Sequence, residues 1–389
     1  MDANWGRQRD QAPPPRPSLN VLLMTMSLDF GGAETHVVSL AKALKREGLQ
    51  VSVASNGGRL VSQLQAADIP HHRVALHARK PLQILHSIGL IKRLVCSTGC
   101  DLMHAHARIP AWVGQRVQRS TGVPLVTTYH GLYDDHWLLK LFTTPGRQTI
   151  AVSGDVKQHL VSRLGVPAKQ VTVIHNGIDV DQFASDHSPS HPWRVTYISR
   201  LAGERGGVAL QLLQAVRMLL PELEQLQAVI VGEGDRLAEV QALAADINRQ
   251  AGKECCLVLG GRSDIPELMA EAGVVVGVGR VALEAMASGR PVIIAGEYGS
   301  YGLLNEQTLP LAIEHNFSGR GARVSTDADS LVYSLRKVFD QPRQASAAAA
   351  ICRDLVISRY SVQKKAQEVL EIYHRALSAS SARGNDCDR

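Results

Sequence analysis

Short runs of Val, Ile and Leu alternate with amphipathic stretches along almost the whole chain. Asn20–Met26 is apolar enough for a buried strand. Between Ala33 and Arg46 the apolar residues fall at 37, 38, 40, 41 and 44, one face of a helix, and Gly48 supplies its stop. Gln50–Ala54 reads as the next strand, and the alternation continues through Asp101–His104, Leu125–Tyr129, Gln148–Val152 and Val171–Ile174. The polar, Pro-containing segment Ser185–Pro192 interrupts the pattern. It restarts with strands at Arg194–Ile198, Ala228–Val231, Cys255–Leu259, Val274–Val276 and Pro291–Ala295, and closes with an amphipathic helix over about Val362–Leu377. Strands alternating with helices of this length build parallel sheets covered by helices on both faces. The prediction is an α/β chain of two doubly wound domains, over 19–185 and 193–360, joined by a linker at 186–192. A disordered leader over 1–18, a last helix over 361–378 and a polar tail over 379–389 complete it.

At 389 residues, 45% apolar and 20% charged, the chain suits two globular cores and contains no apolar run long enough to span a membrane. Its six cysteines are scattered without a C-x-x-C pair, which points to reduced thiols and a cytoplasmic location. The net charge of +6 is uneven: residues 1–185 carry 20 Lys+Arg against 12 Asp+Glu, and 11 of the 15 histidines. A basic half suits an anionic partner or an anionic membrane surface. Nucleic acid is disfavoured, since no helix-turn-helix, zinc-finger or RNA-binding aromatic pattern is present. Two apolar-basic stretches, Arg79–Leu94 and Trp137–Phe142, read either as core-facing segments or as surfaces that lie on anionic lipid.

Open parallel sheets bind ligands beyond the carboxyl ends of their strands, so the candidate chemistry is sought there. Gly31-Gly32 precedes the first helix and is either a plain turn or a loop whose amides face a ligand. It is not G-x-G-x-x-G, so dinucleotide binding is disfavoured. His104 and His106 share a strand face as two polar side chains lining the cleft; no completing carboxylate or cysteine is evident, so no metal site is predicted. Tyr129-His130-Gly131 ends the following strand. Ser199–Gly207 places Arg200 and Arg205 five residues apart around a turn between strand and helix. Gly232-Glu233-Gly234-Asp235 and Gly260-Gly261-Arg262-Ser263-Asp264 are further strand-end turns, whose Asp235, Ser263 and Asp264 also suit helix capping. Gly277-Val278-Gly279-Arg280 then runs into a helix carrying Glu284, which Gly289 stops before the apolar Val292-Ile293. Such a helix start offers free N–H groups to an anion.

The wording E-A-M-A-S-G-x-P-V-I around Glu284 resembles the donor site of GT-B glycosyltransferases, family 4 in particular. Arg200-Leu201, the T-x-H-G-like segment at His130, V-S-x-x-V-K at Val152 and N-G-I-D at Asn176 are similar to other segments of that family, and the resemblance covers about residues 19–378. It implies two Rossmann-like domains facing across a cleft, with the final helix crossing back to the first. It also implies a retaining, metal-independent enzyme that moves a sugar from a UDP- or GDP-sugar to a glycan or lipid-linked acceptor. Such an enzyme would serve cell-envelope polysaccharide or glycolipid synthesis, without another cofactor, in the cytoplasm or peripherally at the inner membrane face. The roles it implies are catalysis for His130, Arg200 and Arg205, and an acceptor-side place for His104 and His106. Gly31, Gly32, Gly234, Arg262, Gly277, Gly279, Arg280 and Glu284 would bind the donor, Glu284 through the ribose. The family has a second glutamate, for the donor sugar, eight residues earlier; here that position is Val276, the loop before it is short, and Arg280 replaces an apolar residue. Two other readings stay open: a sugar-nucleotide 2-epimerase of the same architecture, and a non-catalytic, degenerate transferase subunit.

Overall fold

A computed structural model of the chain describes residues 18–29, 31–133, 136, 143–183 and 188–378. The leader up to residue 17, the Trp137–Phe142 cluster, part of the linker and the tail from 379 lie outside the described residues.

The first domain runs β1 (Asn20–Met24), α1 (Gly32–Arg46), β2 (Gln50–Ser55), α2 (Val61–Gln65), β3 (His71–Arg73), α3 (Pro81–Thr98), β4 (Leu102–Ala105), α4 (Arg108–Thr121), β5 (Leu125–Tyr129), β6 (Gln148–Ala151), α5 (Gly154–Ser162) and β7 (Val171–Val173). Its seven strands lie in the order β3-β2-β1-β4-β5-β6-β7, all parallel. The second runs β8 (His191–Ile198), α6 (Gly203–Leu219), β9 (Gln227–Val231), α7 (Leu237–Ala251), β10 (Cys256–Val258), α8 (Ile265–Glu271), β11 (Ala272–Gly277), α9 (Arg280–Ala287), β12 (Val292–Gly296), β13 (Gly299–Leu303), α10 (Leu309–Glu314), α11 (Ala328–Asp340) and α12 (Pro342–Arg359). Its six strands lie in the order β10-β9-β8-β11-β12-β13.

Both sheets reverse strand order next to their first strand, and there the following loops diverge to opposite faces and open a crevice. The strand pattern of the sequence therefore positions the site. Two strands escape it. β3 is three residues long with only partly buried side chains, so its apolar signal is faint. β13 pairs antiparallel with β12, because only Glu297 and Tyr298 separate them and a parallel crossover needs a dozen or more residues.

The last helix, α13 (Val362–Ser378), returns to the first domain. Its stripe of Val362, Ala366, Val369, Tyr373 and Ala376, at three- and four-residue spacing, is buried in one core with Val21, Leu40 and Leu44. At the turn into it, Ile178 N–H donates to the Tyr360 carbonyl at 2.7 Å, and Val362 N–H donates to the Ile178 carbonyl at 2.8 Å. Gly177 makes this close approach possible: a Cβ there would lie 2.7 Å from Val362 Cα.

Candidate active site

The cleft is bounded by two helix starts, one from each domain. On the first domain, Gly31 precedes α1 in extended conformation with no capping side chain. A Cβ on Gly31 would run into the Glu34 carboxylate and lie 3.7 Å from Arg200 Nη2; a Cβ on Gly32 would lie 3.9 Å from Arg280 Cβ. Both glycines thus face the second domain. On that domain Gly279 precedes α9 at φ 59° and ψ −122°, a conformation that L side chains rarely adopt. Its N–H donates to the Phe317 carbonyl at 2.7 Å, and no side chain caps the helix. Uncapped first-turn amides at two facing helix starts offer donors to a phosphate group, with Arg200 beside them and the Glu34 carboxylate at the Gly31 end.

Arg200 follows β8, is exposed, and makes no ion pair or hydrogen bond among the described residues. Its loop rests on glycine. Gly234 lies directly against the backbone of Leu201 and Ala202, and a Cβ there would collide with it, so packing alone requires this glycine. Asp235 and Asp264 do not cap their own helices, as the sequence suggests. Asp235 Oδ1 instead accepts from Gly203 N–H at 3.2 Å and so fixes the start of α6, while α7 and α8 begin without a side-chain cap. Arg205, in the first turn of α6, donates to Glu297 Oε1 from Nη2 at 2.9 Å and from Nε at 3.2 Å. Arg262 is exposed and donates from Nε to Asp264 at 2.8 Å; neighbouring Gly261 lies against Glu233, which pairs at 3.2 Å with Arg59 of the first domain.

Glu284 is buried on α9, one turn beyond Arg280, whose Nε lies 2.7 Å from its carboxylate. Burial raises the Glu284 pKa and the Arg280 charge works against that rise. Arg280 is itself buried and spans the cleft: Nη1 donates to the Gly177 carbonyl at 3.1 Å and Nη2 to Ser39 Oγ at 3.5 Å. Val276 is fully buried on β11, in one core with Val195, Tyr197, Ile230 and Ile293. The strand runs on to Gly277, where a Cβ would sit 2.7 Å from Val281 Cγ1, so the short loop leaves position 276 inside the domain.

Four histidines gather at the carboxyl ends of β4 and β5. His106 Nδ1 and His130 Nε2 are 3.2 Å apart, and the His36 ring on α1 packs edge-on to His130 at 5.2 Å. His104 requires a correction. It is completely buried, with Nδ1 2.7 Å from the Tyr373 hydroxyl and Nε2 2.7 Å from Thr128 Oγ1, so it braces α13 instead of lining the acceptor side. A neutral imidazole has one donor and one acceptor, and two hydroxyls satisfy both. Burial pushes His104 down to about 3 and His130 to about 4, and holds His36 and His106 well below the ordinary value. Among the described residues no group of three His, Cys, Asp or Glu could hold a metal ion.

A second link crosses between the domains. Asp155, at the start of α5, pairs with Arg320 at 2.6 Å and with His315 Nδ1 at 3.4 Å. Arg320 and His315 flank a loop in which Asn316 and Phe317 both take positive φ, and Phe317 is the residue that holds Gly279.

Two family models match the chain, Glycosyltransferase Family 4 over residues 30–182 and Glycosyl transferases group 1 over residues 192–315. The chain is a glycosyltransferase of the GT-B fold. Among curated relatives of this glycosyltransferase, the UDP-Gal:alpha-D-GlcNAc-diphosphoundecaprenol alpha-1,3-galactosyltransferase of Escherichia coli is 23% identical, over 74% of this chain and 79% of the relative. The phosphatidyl-myo-inositol mannosyltransferase of Mycolicibacterium smegmatis is 25% identical, over 90% of this chain and 91% of the relative. In structure the chain is similar to Anabaena HepE in complex with UDP and glucose, with a TM-score of 0.72, 21% identity, and coverage of 92% and 100%. A UDP-GlcNAc 2-epimerase from Neisseria meningitidis shares the fold at a TM-score of 0.59 and 14% identity, over 91% of this chain and all of the other.

Of the residues singled out in the sequence, Gly31, Gly32, Arg200, Gly279, Arg280 and Glu284 meet at the gap between the helix starts, and His106 and His130 lie together beside β4 and β5. Sequence reasoning missed His36 and the Asp155–Arg320–His315 link. His36 falls in register with Leu40 and Leu44, so a polar residue opening an apolar helix stripe was the available signal. The link joins residues about 160 positions apart, with no local pattern to mark it.

Proposed function

We propose that this glycosyltransferase is a retaining, metal-independent enzyme using a UDP- or GDP-sugar and a glycan or lipid-linked acceptor in envelope glycan synthesis. The observation that carries the reading is the facing pair of uncapped, glycine-led helix starts, with the exposed Arg200 guanidinium beside Gly31. A diphosphate is the anion that such a gap and an arginine hold together. In the reaction the bond from the anomeric carbon to the phosphate oxygen breaks as the acceptor hydroxyl bonds to the same face of that carbon, and its proton passes to the leaving phosphate. Negative charge grows on the phosphate, and Arg200 stabilises it where it forms. Arg205 joins by exchanging Glu297 for the diphosphate. Glu284 accepts from the ribose hydroxyls, oriented by Arg280, and His130 faces the transferred sugar.

The lipid-linked substrates in the names of the two curated relatives support the acceptor class. Leu82 and Leu85 stand exposed on α3, 82% and 62% accessible, beside Arg79 and Lys80, which supports peripheral contact with an anionic membrane face on the cytoplasmic side. The test incubates the protein with UDP-, GDP-, ADP- and TDP-sugars and a lipid extract after EDTA treatment, and follows the anomeric proton of the product by NMR. Transfer with retained configuration and without added metal is expected. Conversion of the donor alone would favour an epimerase, and inverted product or a metal requirement would refute the mechanism.

A further inference from the structure

Asp155 belongs to the first domain, but the second domain supplies its charged partners. Arg320 donates to Oδ2 from Nε at 2.7 Å and stands 2.6 Å from it through Nη2, with His315 Nδ1 at 3.4 Å. On the other oxygen, Oδ1, the Ser153 hydroxyl and the Val156 N–H, the latter at 2.8 Å, fix the carboxylate to the start of α5. The Asp155 and Arg320 side chains are 16% and 18% exposed, whereas another cross-domain pair, Arg59 with Glu233, is 56% and 53% exposed. Solvent screens the exposed pair and leaves it little strength, so the shielded one carries the contact.

The residues around Arg320 transmit that contact. The Ser318 hydroxyl donates to the His315 carbonyl at 2.7 Å and accepts from the Arg320 N–H at 3.3 Å, and the Tyr301 hydroxyl donates to the Arg320 carbonyl. A Cβ on Gly319 would lie 2.5 Å from the Gly299 carbonyl oxygen, so loop 315–321 rests directly on β13. Within it Phe317 takes φ 55°, which is rare for so bulky a residue. Such a conformation persists only where its surroundings over-determine it. Here the Phe317 N–H donates to the Ala312 carbonyl at 2.6 Å, and its ring is fully buried against Tyr360. The turn aims the Phe317 carbonyl at the Gly279 N–H, the last backbone donor before the open first turn of α9. Loop 315–321 thus joins the start of α9 to Asp155 of the first domain.

Resting on the nucleotide-sugar reading above, we infer that Asp155 and Arg320 form a latch between the domains that sets the first turn of α9 through the Phe317 carbonyl. Arg320 is a positioning residue for transfer: its guanidinium is spent on Asp155, and it acts by fixing the amides that face the diphosphate while the two domains stand together. Domains of one chain move relative to each other unless their interface holds them. A misplacement of about 1 Å at the reacting groups is enough to slow transfer strongly.

The test labels the glycine amides isotopically and follows their hydrogen exchange by NMR in the wild type, Asp155→Asn, Arg320→Ala and Arg320→Lys. The Gly279 amide should exchange about tenfold faster in Asp155→Asn and Arg320→Ala, with Arg320→Lys, which keeps the charge, in between. The Gly232 amide, bonded to the Gly260 carbonyl at 2.8 Å in the same domain, should not change. Asp155→Asn matches the native residue in size and decides the matter if Arg320→Ala does not fold. An unchanged Gly279, or equal acceleration at Gly232, would overturn the latch, because it shows no coupling or only a general loss of stability. A second arm measures transfer with the UDP- or GDP-sugar and lipid acceptor that the wild type uses. Turnover at saturating donor, per folded protein, should fall about 10- to 100-fold in Asp155→Asn and Arg320→Ala and recover in part in Arg320→Lys. Wild-type kcat in these variants would overturn the positioning role and leave the transferase reading standing. A folded wild type that binds neither UDP nor GDP would sink the nucleotide-sugar reading and the positioning role with it, while the exchange rates still decide the latch.

Discussion

Mild acid should destabilise this protein well above the range where carboxylates titrate, and His104 allows the effect to be worked out. Both its ring nitrogens are taken by the hydroxyls of Tyr373 and Thr128, and the His106 ring lies 4.1 Å away. Burial, with a smaller contribution from His130, pushes its pKa down to about 3, whereas an unfolded histidine titrates near 6.5. Below about pH 6.5 the unfolded chain therefore binds a proton that the folded one refuses. The stability from keeping His104 neutral is complete above that pH and is lost progressively as pH falls towards 3. Between about pH 7 and about pH 5 the loss is ~2 kcal/mol from this residue, a large part of a typical stability of 5 to 15 kcal/mol. His36, His106 and His130 are shifted in the same direction and add to the slope. Urea unfolding followed by circular dichroism at several pH values measures this directly. His104→Asn, which keeps a neutral donor and acceptor, should flatten the pH dependence by about 1.2 kcal/mol between about pH 5 and 6, whatever its stability at neutral pH. Parallel curves for wild type and variant, or a wild type equally stable at both ends, would refute the reasoning.

Val276→Glu should not restore a sugar contact but unfold the second domain, since it puts a carboxylate into a fully buried strand at a cost of several kcal/mol; a soluble variant with tighter donor binding would contradict the placement of β11. Gly177→Ala should strain the junction with Val362 by about 1–3 kcal/mol and lower the melting temperature, and an unchanged Tm would contradict that contact. Burial raises the Asp155 pKa, but the Ser153 hydroxyl and Arg320 outweigh it and hold the carboxyl below its ordinary value. The link it makes is therefore present above about pH 4 and lost as pH falls through the lowered value; a double-mutant cycle of Asp155→Asn with Arg320→Ala should give a coupling of about 0.5–3 kcal/mol, and strict additivity would refute the link. Glu284→Gln should raise the donor KM more than it lowers kcat; lost turnover at saturating donor with unchanged affinity would assign Glu284 to the chemistry instead.

Periodicity made the two sheets and the returning helix legible, because buried parallel strands and amphipathic helices leave different spacings in a sequence. Glycine-led strand ends marked the cleft for the same reason: their backbone demands are local. What stayed hidden was direction and partnership. His104 and His106 lie two residues apart, yet one ring is held between Tyr373 and Thr128 while the other joins His130. That outcome depends on a helix 269 positions away in the chain. Arg280 reads in the sequence as a cation for the donor, but whether it meets Glu284, Gly177 or Ser39 depends on how two domains face each other. Val276 reads as a missing ligand because the motif around it is intact; burial makes it a strand residue.

The placement of the diphosphate is the central claim, and a crystal structure with UDP or GDP, whichever binds, tests it most directly. The expected result is a β-phosphate within about 3 Å of the Arg200 guanidinium and of first-turn amides of α9, with the ribose at Glu284. A nucleotide bound elsewhere, or one in the cleft that leaves Arg200 and the first-turn amides of α9 untouched, would contradict the account.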